Sequence, residues 1–185
     1  MYVCRRTYSS RRDHPAYPFY WLVTQPQNGT NGNVEGVEVA VTHNLDWLPG
    51  LWSGLGLGAN YTFVANQVTQ QPGATFACGL PGLSKNSFNL DGFYEKGPVQ
   101  MRLAYNWRSS FLLICNGEQG APEDQAAYGS LDFSASYQLT PSLQVYAEGS
   151  NVLGAATSEY SIYTERFLRY DDTGPRYQVG VRFKF

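Results

Sequence analysis

Few side chains in this 185-residue chain have the types and spacing for covalent chemistry. Three cysteines are present, and two of them, Cys78 and Cys115, stand in stretches rich in glycine, proline and polar residues. The chemistry open to such a pair is a disulfide, and the alternative is two unrelated thiols. Cys4 is left over. Only two histidines are present, His14 and His43, and a catalytic triad or a histidine-rich metal site would need more convincing partners than these. "GLWSG" at Gly50 to Gly54 does not match a nucleophile elbow. Glu159, Glu165, Asp171 and Asp172 share one stretch and could gather a cation, although loop carboxylates more often face water. Asn28 and Asn60 open the glycosylation sequons "NGT" and "NYT". The expectation is a protein that is not an enzyme and needs no cofactor.

What remains is binding, and the elements that would position it are strands. Period-two segments run at Tyr17 to Gln25, Asn33 to His43, Gly54 to Asn66, Ser87 to Tyr94, Val99 to Leu113, Tyr128 to Leu139, Leu143 to Asn151 and Arg176 to Phe185. In "VQMRLAYNWR", Val99, Met101, Leu103, Tyr105 and Trp107 alternate with Gln100, Arg102, Ala104, Asn106 and Arg108. Composition agrees, with 19 Gly, 14 Tyr, 10 Phe, 4 Trp and only 15% charged residues, as pleated half-apolar surfaces and tight turns require. No segment keeps a helical period. No run approaches the roughly 18 apolar residues of a membrane-spanning helix.

Alternation alone fits either a soluble barrel with its apolar side inside or an outer-membrane barrel with that side in lipid. Length separates them. Several segments run ten to fifteen residues, whereas globular strands average about five to six and a tilted bilayer-crossing strand needs about 9 to 11. The connections also alternate: Asn44 to Ser53, Glu95 to Pro98 and Thr140 to Ser142 are short or moderate. Pro26 to Gly32, Gln67 to Asn86, Ile114 to Ala127 and Val152 to Pro175 are mostly long. Short turns on the periplasmic rim and long loops outside is the outer-membrane pattern. Counting back from Phe185 as a periplasmic end puts each tight turn in the periplasm, and Cys78 and Cys115 in neighbouring surface loops where a disulfide persists.

The fold expected is therefore all-β: part of an antiparallel transmembrane β-barrel of about eight strands, with short periplasmic turns and long extracellular loops. Lipid would meet one face, and Glu38, Arg102, Arg108, Asp132, Glu148, Arg182 and Lys184 would line the lumen. Gly54, Gly56 and Gly58 share the inward face and either leave a bare patch of wall or simply relieve its curvature. Trp47, Trp52, Tyr94, Tyr177 and Phe185 sit where interfacial aromatic girdles belong. The formal charge of -2 gives no electrostatic reason to expect nucleic acid. The arginine-rich start, "RRTYSSRRDH", lacks the apolar stretch of a signal peptide, and residues 1–16 read as an unassigned leader ahead of a single unit at 17–185.

"GLSKNSFNLDGFYEKGPVQMRLAYNWRSSFL", Gly82 to Leu112, resembles a strand, tight turn and strand of TonB-dependent outer-membrane receptors. "NGNVEGVEVA" with "WLPGLWSGLGLGANYTFVAN" looks like the preceding hairpin, and "LQVYAEGSNVLG" with "YQVGVRFKF" is similar to the last two strands. The resemblance covers roughly Asn31 to Phe185. It implies a 22-stranded barrel with an N-terminal plug, powered by an inner-membrane complex through TonB, and taking up a siderophore, carbohydrate or similar small solute at the surface loops. Neither plug nor TonB-contacting box is recognised in the sequence, so the chain reads as the C-terminal part of such a receptor in the cell outer membrane. Tyr177, Val179, Val181, Phe183 and Phe185 then resemble the terminal signal read by the barrel assembly machinery. The alternatives are a complete eight-stranded barrel with a structural or adhesive role and a soluble lipocalin-like binder.

Overall fold

The computed structural model describes residues 2–8, 21–27, 32–67 and 78–184. The chain is all-β. Near the start β1 (Tyr2–Tyr8) and β2 (Trp21–Gln27) pair antiparallel as a two-stranded sheet. The main sheet holds β3 (Val34–Asn44), β4 (Leu55–Asn66), β5 (Asn86–Lys96), β6 (Val99–Arg108), β9 (Tyr128–Thr140), β10 (Leu143–Ser150) and β13 (Arg176–Phe183). Each pairs antiparallel with the next, in the order β13-β10-β9-β6-β5-β4-β3. Between them come β7 (Phe111–Ile114), β8 (Glu123–Gln125), β11 (Thr157–Ser161) and β12 (Tyr163–Asp171). These four form a second sheet, in the order β12-β11-β8-β7.

Several expectations change. The main sheet has seven strands rather than about eight, and it is open: β3 and β13 are its edges, while β2 pairs with β1. Residues 17–20 of the first expected strand lie outside the described residues, and β1 falls within the stretch read as a leader. The long segment Val99 to Leu113 is two strands. It breaks at Ser109 and Ser110: the Ser109 N–H still donates to the Asn86 carbonyl, but the return bond is lost, because the Asn86 N–H donates to Ser109 Oγ and the Ser109 carbonyl accepts from Ser84 Oγ. The stretches Ile114 to Ala127 and Val152 to Pro175 are not plain loops either. Of their strands β8 and β11 are only 3 and 5 residues long, too short to stand out as period-two runs, and β12, 9 residues long, is irregular in register.

The tight connections follow from local chemistry. Gly97 (φ +60°) and Pro98 join β5 to β6, glycine supplying the left-handed conformation that two-residue hairpin turns demand. Pro141 and Ser142 join β9 to β10. A 3-10 helix, Gly50–Gly54, lies between β3 and β4, and Lys96 Nζ donates to Gly50 O and Ser53 Oγ, tying that turn to its neighbour. An antiparallel meander puts all three at one rim and the second sheet beyond the other.

Register sorts the side chains completely. Val39, Tyr61 and Phe88 stand opposite one another, as do Met101 and Ala135, and Leu103, Phe133, Gly149 and Tyr177. These belong to one continuous apolar face. The other carries Thr42, Gly58, Asp91, Ala104 and Asp132 across one row and Phe93, Arg102, Ser134, Glu148 and Gln178 across another. The apolar face is not a core: Val37, Val39, Val41, Leu103 and Val181 are exposed, and Val179 is 80% exposed. Among the described residues the buried side chains include Phe111, Ala121, Asn151 and Ser161, all at the second sheet or the turn after β10.

The bare patch expected at Gly54, Gly56 and Gly58 narrows to Gly58, where a Cβ would meet its neighbours only at ordinary contact distance. Gly54 belongs to the 3-10 helix. Gly56 lies opposite Phe93, whose ring occupies the place where a Cβ would stand, so the aromatic covers the glycine and shields its backbone.

Candidate functional site

The polar face of the main sheet is divided along its height. Towards the short-turn rim a cavity of about 470 Å³ is bordered by Asp91, Glu95, Arg102, Glu148 and Arg182. Arg102 reaches Asp91 Oδ1 through both Nε (3.1 Å) and Nη2 (2.8 Å). Arg182 donates to Gln144 Oε1 at 3.0 Å and lies over the Tyr146 ring, and Gln178 donates to the Tyr146 hydroxyl. Charges here are mixed in sign and partly satisfied within the wall.

Towards the other rim the wall changes character. Asn60, Asn89, Asn106 and Ser130 lie in one register row across β4, β5, β6 and β9. Above them come Thr62, Ser87, Arg108 and Tyr128. Part of this wall faces Gln125, Thr157 and Asp171 of the second sheet across a cavity of about 750 Å³. Asn89 Nδ2 donates to Asn60 Oδ1 at 2.7 Å. The Arg108 guanidinium lies 3.8 Å from the Phe111 ring centroid and donates to Ser84 Oγ and Gly82 O. It makes no ion pair among the described residues.

The second sheet is held over this cavity by specific polar contacts. Asn151 follows β10 with φ +53°, a conformation asparagine tolerates, and is only 5% exposed. Its N–H donates to Asp132 Oδ1, its Nδ2 to Ala155 O, and its Oδ1 accepts from Ala155 N, so the turn leading to β11 is pinned to β9. Ser161 Oγ donates to Pro122 O, which locks β11 to the start of β8. Burial in this sheet raises the pKa of Asp124 above the usual carboxylate range.

The residues singled out in the sequence fall as follows. Tyr177, Val179, Val181 and Phe183 all take the apolar face of β13, with Tyr177 near the Phe133 ring, while Phe185 lies outside the described residues. Cys78 and Cys115 sit in disulfide geometry with Cα atoms 5.7 Å apart. The four acidic residues do not converge on one point: Asp171 pairs with Arg169 at 2.8 Å, Asp172 accepts from Gly174 N, and Glu159 stands opposite Arg169 in the β11–β12 ladder. Among the described residues no three His, Cys, Asp or Glu side chains gather as a metal would require. His43 lies on the apolar face opposite Leu57. Asn60 is tied up in the strand row, and Asn28 lies outside the described residues. The asparagine row escaped sequence reading, because four polar residues in four strands join only when register is known.

A family model described as TonB dependent receptor-like, beta-barrel, matches residues 6–152. The match begins inside β1 and runs through β10, so it takes in part of the stretch read as a leader and stops before β11. Comparison with characterised proteins and with solved structures gives no match. Strand meander, face sorting and family match agree over most of the sequence, and the chain belongs to the TonB-dependent receptor-like β-barrel family, a family of outer-membrane receptors.

Proposed function

We propose that this chain forms wall and surface loops of an outer-membrane receptor that binds a scarce small solute outside the cell and passes it to the periplasm using TonB-coupled energy. The observation that carries this is the sorting of the main sheet: an unbroken apolar face left exposed on one side, charges and amides on the other. Such a face is costly in water and expected in lipid. The short-turn rim, with exposed Trp47, Leu51 and Trp52, belongs at the periplasmic interface, and the second sheet belongs outside.

In this reading the mixed-charge lower wall around Asp91, Arg102, Glu148 and Arg182 faces the plug through which TonB acts. Solute contacts come from Gln67 to Asn86, Ile114 to Ala127 and Val152 to Pro175. The alternating apolar face of β13, continued to Phe185, is the element read by the barrel assembly machinery. The disulfide between Cys78 and Cys115 staples two surface loops.

Further strands complete the wall. Six antiparallel pairings separate β3 from β13, so the two edges run in the same direction and cannot join antiparallel. An odd number of additional strands must stand between them, because open edges do not survive in the hydrocarbon region.

Single cysteines at Val179 and Gln178 test the sidedness in outer membranes. The Val179→Cys protein should react with a lipid-soluble maleimide and resist a membrane-impermeant one, and Gln178→Cys should show the reverse after the membrane is opened. Equal reaction of both with the impermeant reagent would exclude the proposed lipid face.

A further inference from the structure

We propose that the apolar face carries, towards its short-turn rim, a site for a single phospholipid of the periplasmic leaflet, with an acyl chain in a groove over Gly92 and the phosphate on Lys96. The inference rests on the receptor reading, which puts this face in lipid, and goes beyond it by giving the face a specific ligand.

Among the described residues, the apolar face of the main sheet includes the strand glycines Gly92, Gly129 and Gly149. The Tyr105 side chain stands where a Cβ of Gly129 would, and the Phe133 ring does the same at Gly149, so both places are filled from the neighbouring strand. Gly92 stays open, since a Cβ built there meets only Leu57 Cδ2, at 4.0 Å. It stands between Leu57 and Leu103 in its register row, and the gap forms part of a groove of about 450 Å³ bordered also by Val41, Leu90 and His43. Asp91 borders the groove too, but turns its carboxylate to Arg102 on the other face. Glycine inside a strand weakens it and often marks a place where a ligand or another backbone comes close. On a face bathed in lipid, the group at hand is an alkyl chain.

The same strand supplies the charge. Lys96 follows Gly92 on the same side of β5, about 13 Å further along at the usual strand rise. Its ammonium is fixed by donating to Gly50 O and Ser53 Oγ, which leaves a donor hydrogen unspent, and among the described residues it makes no ion pair. Tyr94 lies between Gly92 and Lys96 on this face, and the connection that holds the lysine presents Trp47, Leu51 and Trp52, all exposed. Aromatic side chains of this kind settle at headgroup depth. An apolar slot one side chain wide, leading along one strand to a fixed cation without a carboxylate, complements an alkyl chain joined to a phosphate.

The test uses the receptor purified in mild detergent from outer membranes of cells that express it, and native mass spectrometry with added palmitoyl-oleoyl phosphatidylglycerol. Palmitoyl-oleoyl glycerol supplies the chains without the phosphate, and glycerol phosphate the phosphate without the chains. A single phosphatidylglycerol should stay bound per barrel, and neither fragment should displace it at equal concentration. Lys96→Gln should weaken its retention about tenfold, the loss of one charge-assisted contact, and Lys96→Arg should restore part of it. Gly92→Leu should weaken retention by filling the groove, and the ordinary φ of Gly92 lets the strand accept the side chain. Val179→Leu, on the lipid face of β13, should leave retention unchanged, and heat-dependent gel mobility checks that each variant is folded. Equal retention by wild-type, Lys96→Gln and Gly92→Leu proteins, binding of glycerol phosphate alone, or a dimer that Gly92→Leu dissociates in place of a bound lipid overturns the site and leaves the receptor reading standing. Failure to find the protein in the outer membrane overturns the receptor reading and this site with it.

Discussion

At the residue scale, the polar side chains with the greatest structural effect are the ones that satisfy backbone rather than each other. The Arg102–Asp91 pair is exposed enough that screening should leave it worth under about 1 kcal/mol. Asn151 differs, because it is buried and its backbone and side chain together bind Asp132 and both polar groups of the Ala155 backbone. Asn151→Ala removes two side-chain hydrogen bonds at about 1 kcal/mol each and leaves in the left-handed conformation a residue without asparagine's tolerance of it, at about 1 kcal/mol more. The expected loss is therefore about 2 to 3 kcal/mol in the receptor. Asn151→Gly should recover the conformational part only. Urea unfolding followed by the gel shift between folded and unfolded barrel measures both, and equal stability of the alanine and wild-type proteins would show that the turn is held by something else. "SNVLG" was legible in the sequence as a family resemblance. Its job was not, since the partner carboxylate, Asp132, lies in a different strand.

Strands carry the part of the fold that sequence reveals best. Alternation in "VQMRLAYNWR" and "RYQVGVRF" predicted which side chains share a face, and the ladder places them so because a period of two is intrinsic to an extended chain. Where strands fall short of six residues or leave the ladder through a side-chain bond, as at Ser109, the period has too few repeats to read. β8 and β11 are missed for that reason, β7 is read as a continuation of β6, and β12 is missed because bulges shift its register. The assigned faces make a quantitative claim about β13. Val179→Arg should cost about 2 to 4 kcal/mol of barrel stability if the residue lies near the bilayer midplane, while Gln178→Arg next to it should cost close to nothing. Folding titrations in phosphatidylcholine vesicles resolve the difference. Similar costs for the two would remove the case that β13 has a lipid side.

For the whole molecule, the question is how an open seven-stranded sheet can exist in a membrane. One face is apolar and suits lipid, yet each edge strand presents a row of unpaired N–H and C=O groups, each costing several kcal/mol in hydrocarbon. That penalty exceeds what the apolar face of one edge strand returns, so the wall must be closed by pairing. Direct closure is blocked by parity, since β3 and β13 run the same way and an antiparallel barrel has an even number of strands. β2 could supply one strand by leaving β1, but an eight-stranded ring is narrow and filled by side chains. The cavities of about 470 and 750 Å³ on the inner wall then have no room. A wider barrel with strands beyond these satisfies edges, parity and cavities together. The 185-residue chain expressed alone and folded into detergent should therefore run as mixed oligomers in size exclusion, with no gel shift between heated and unheated samples. A monodisperse monomer that does shift on heating would show that the chain closes by itself and that the wider barrel is wrong.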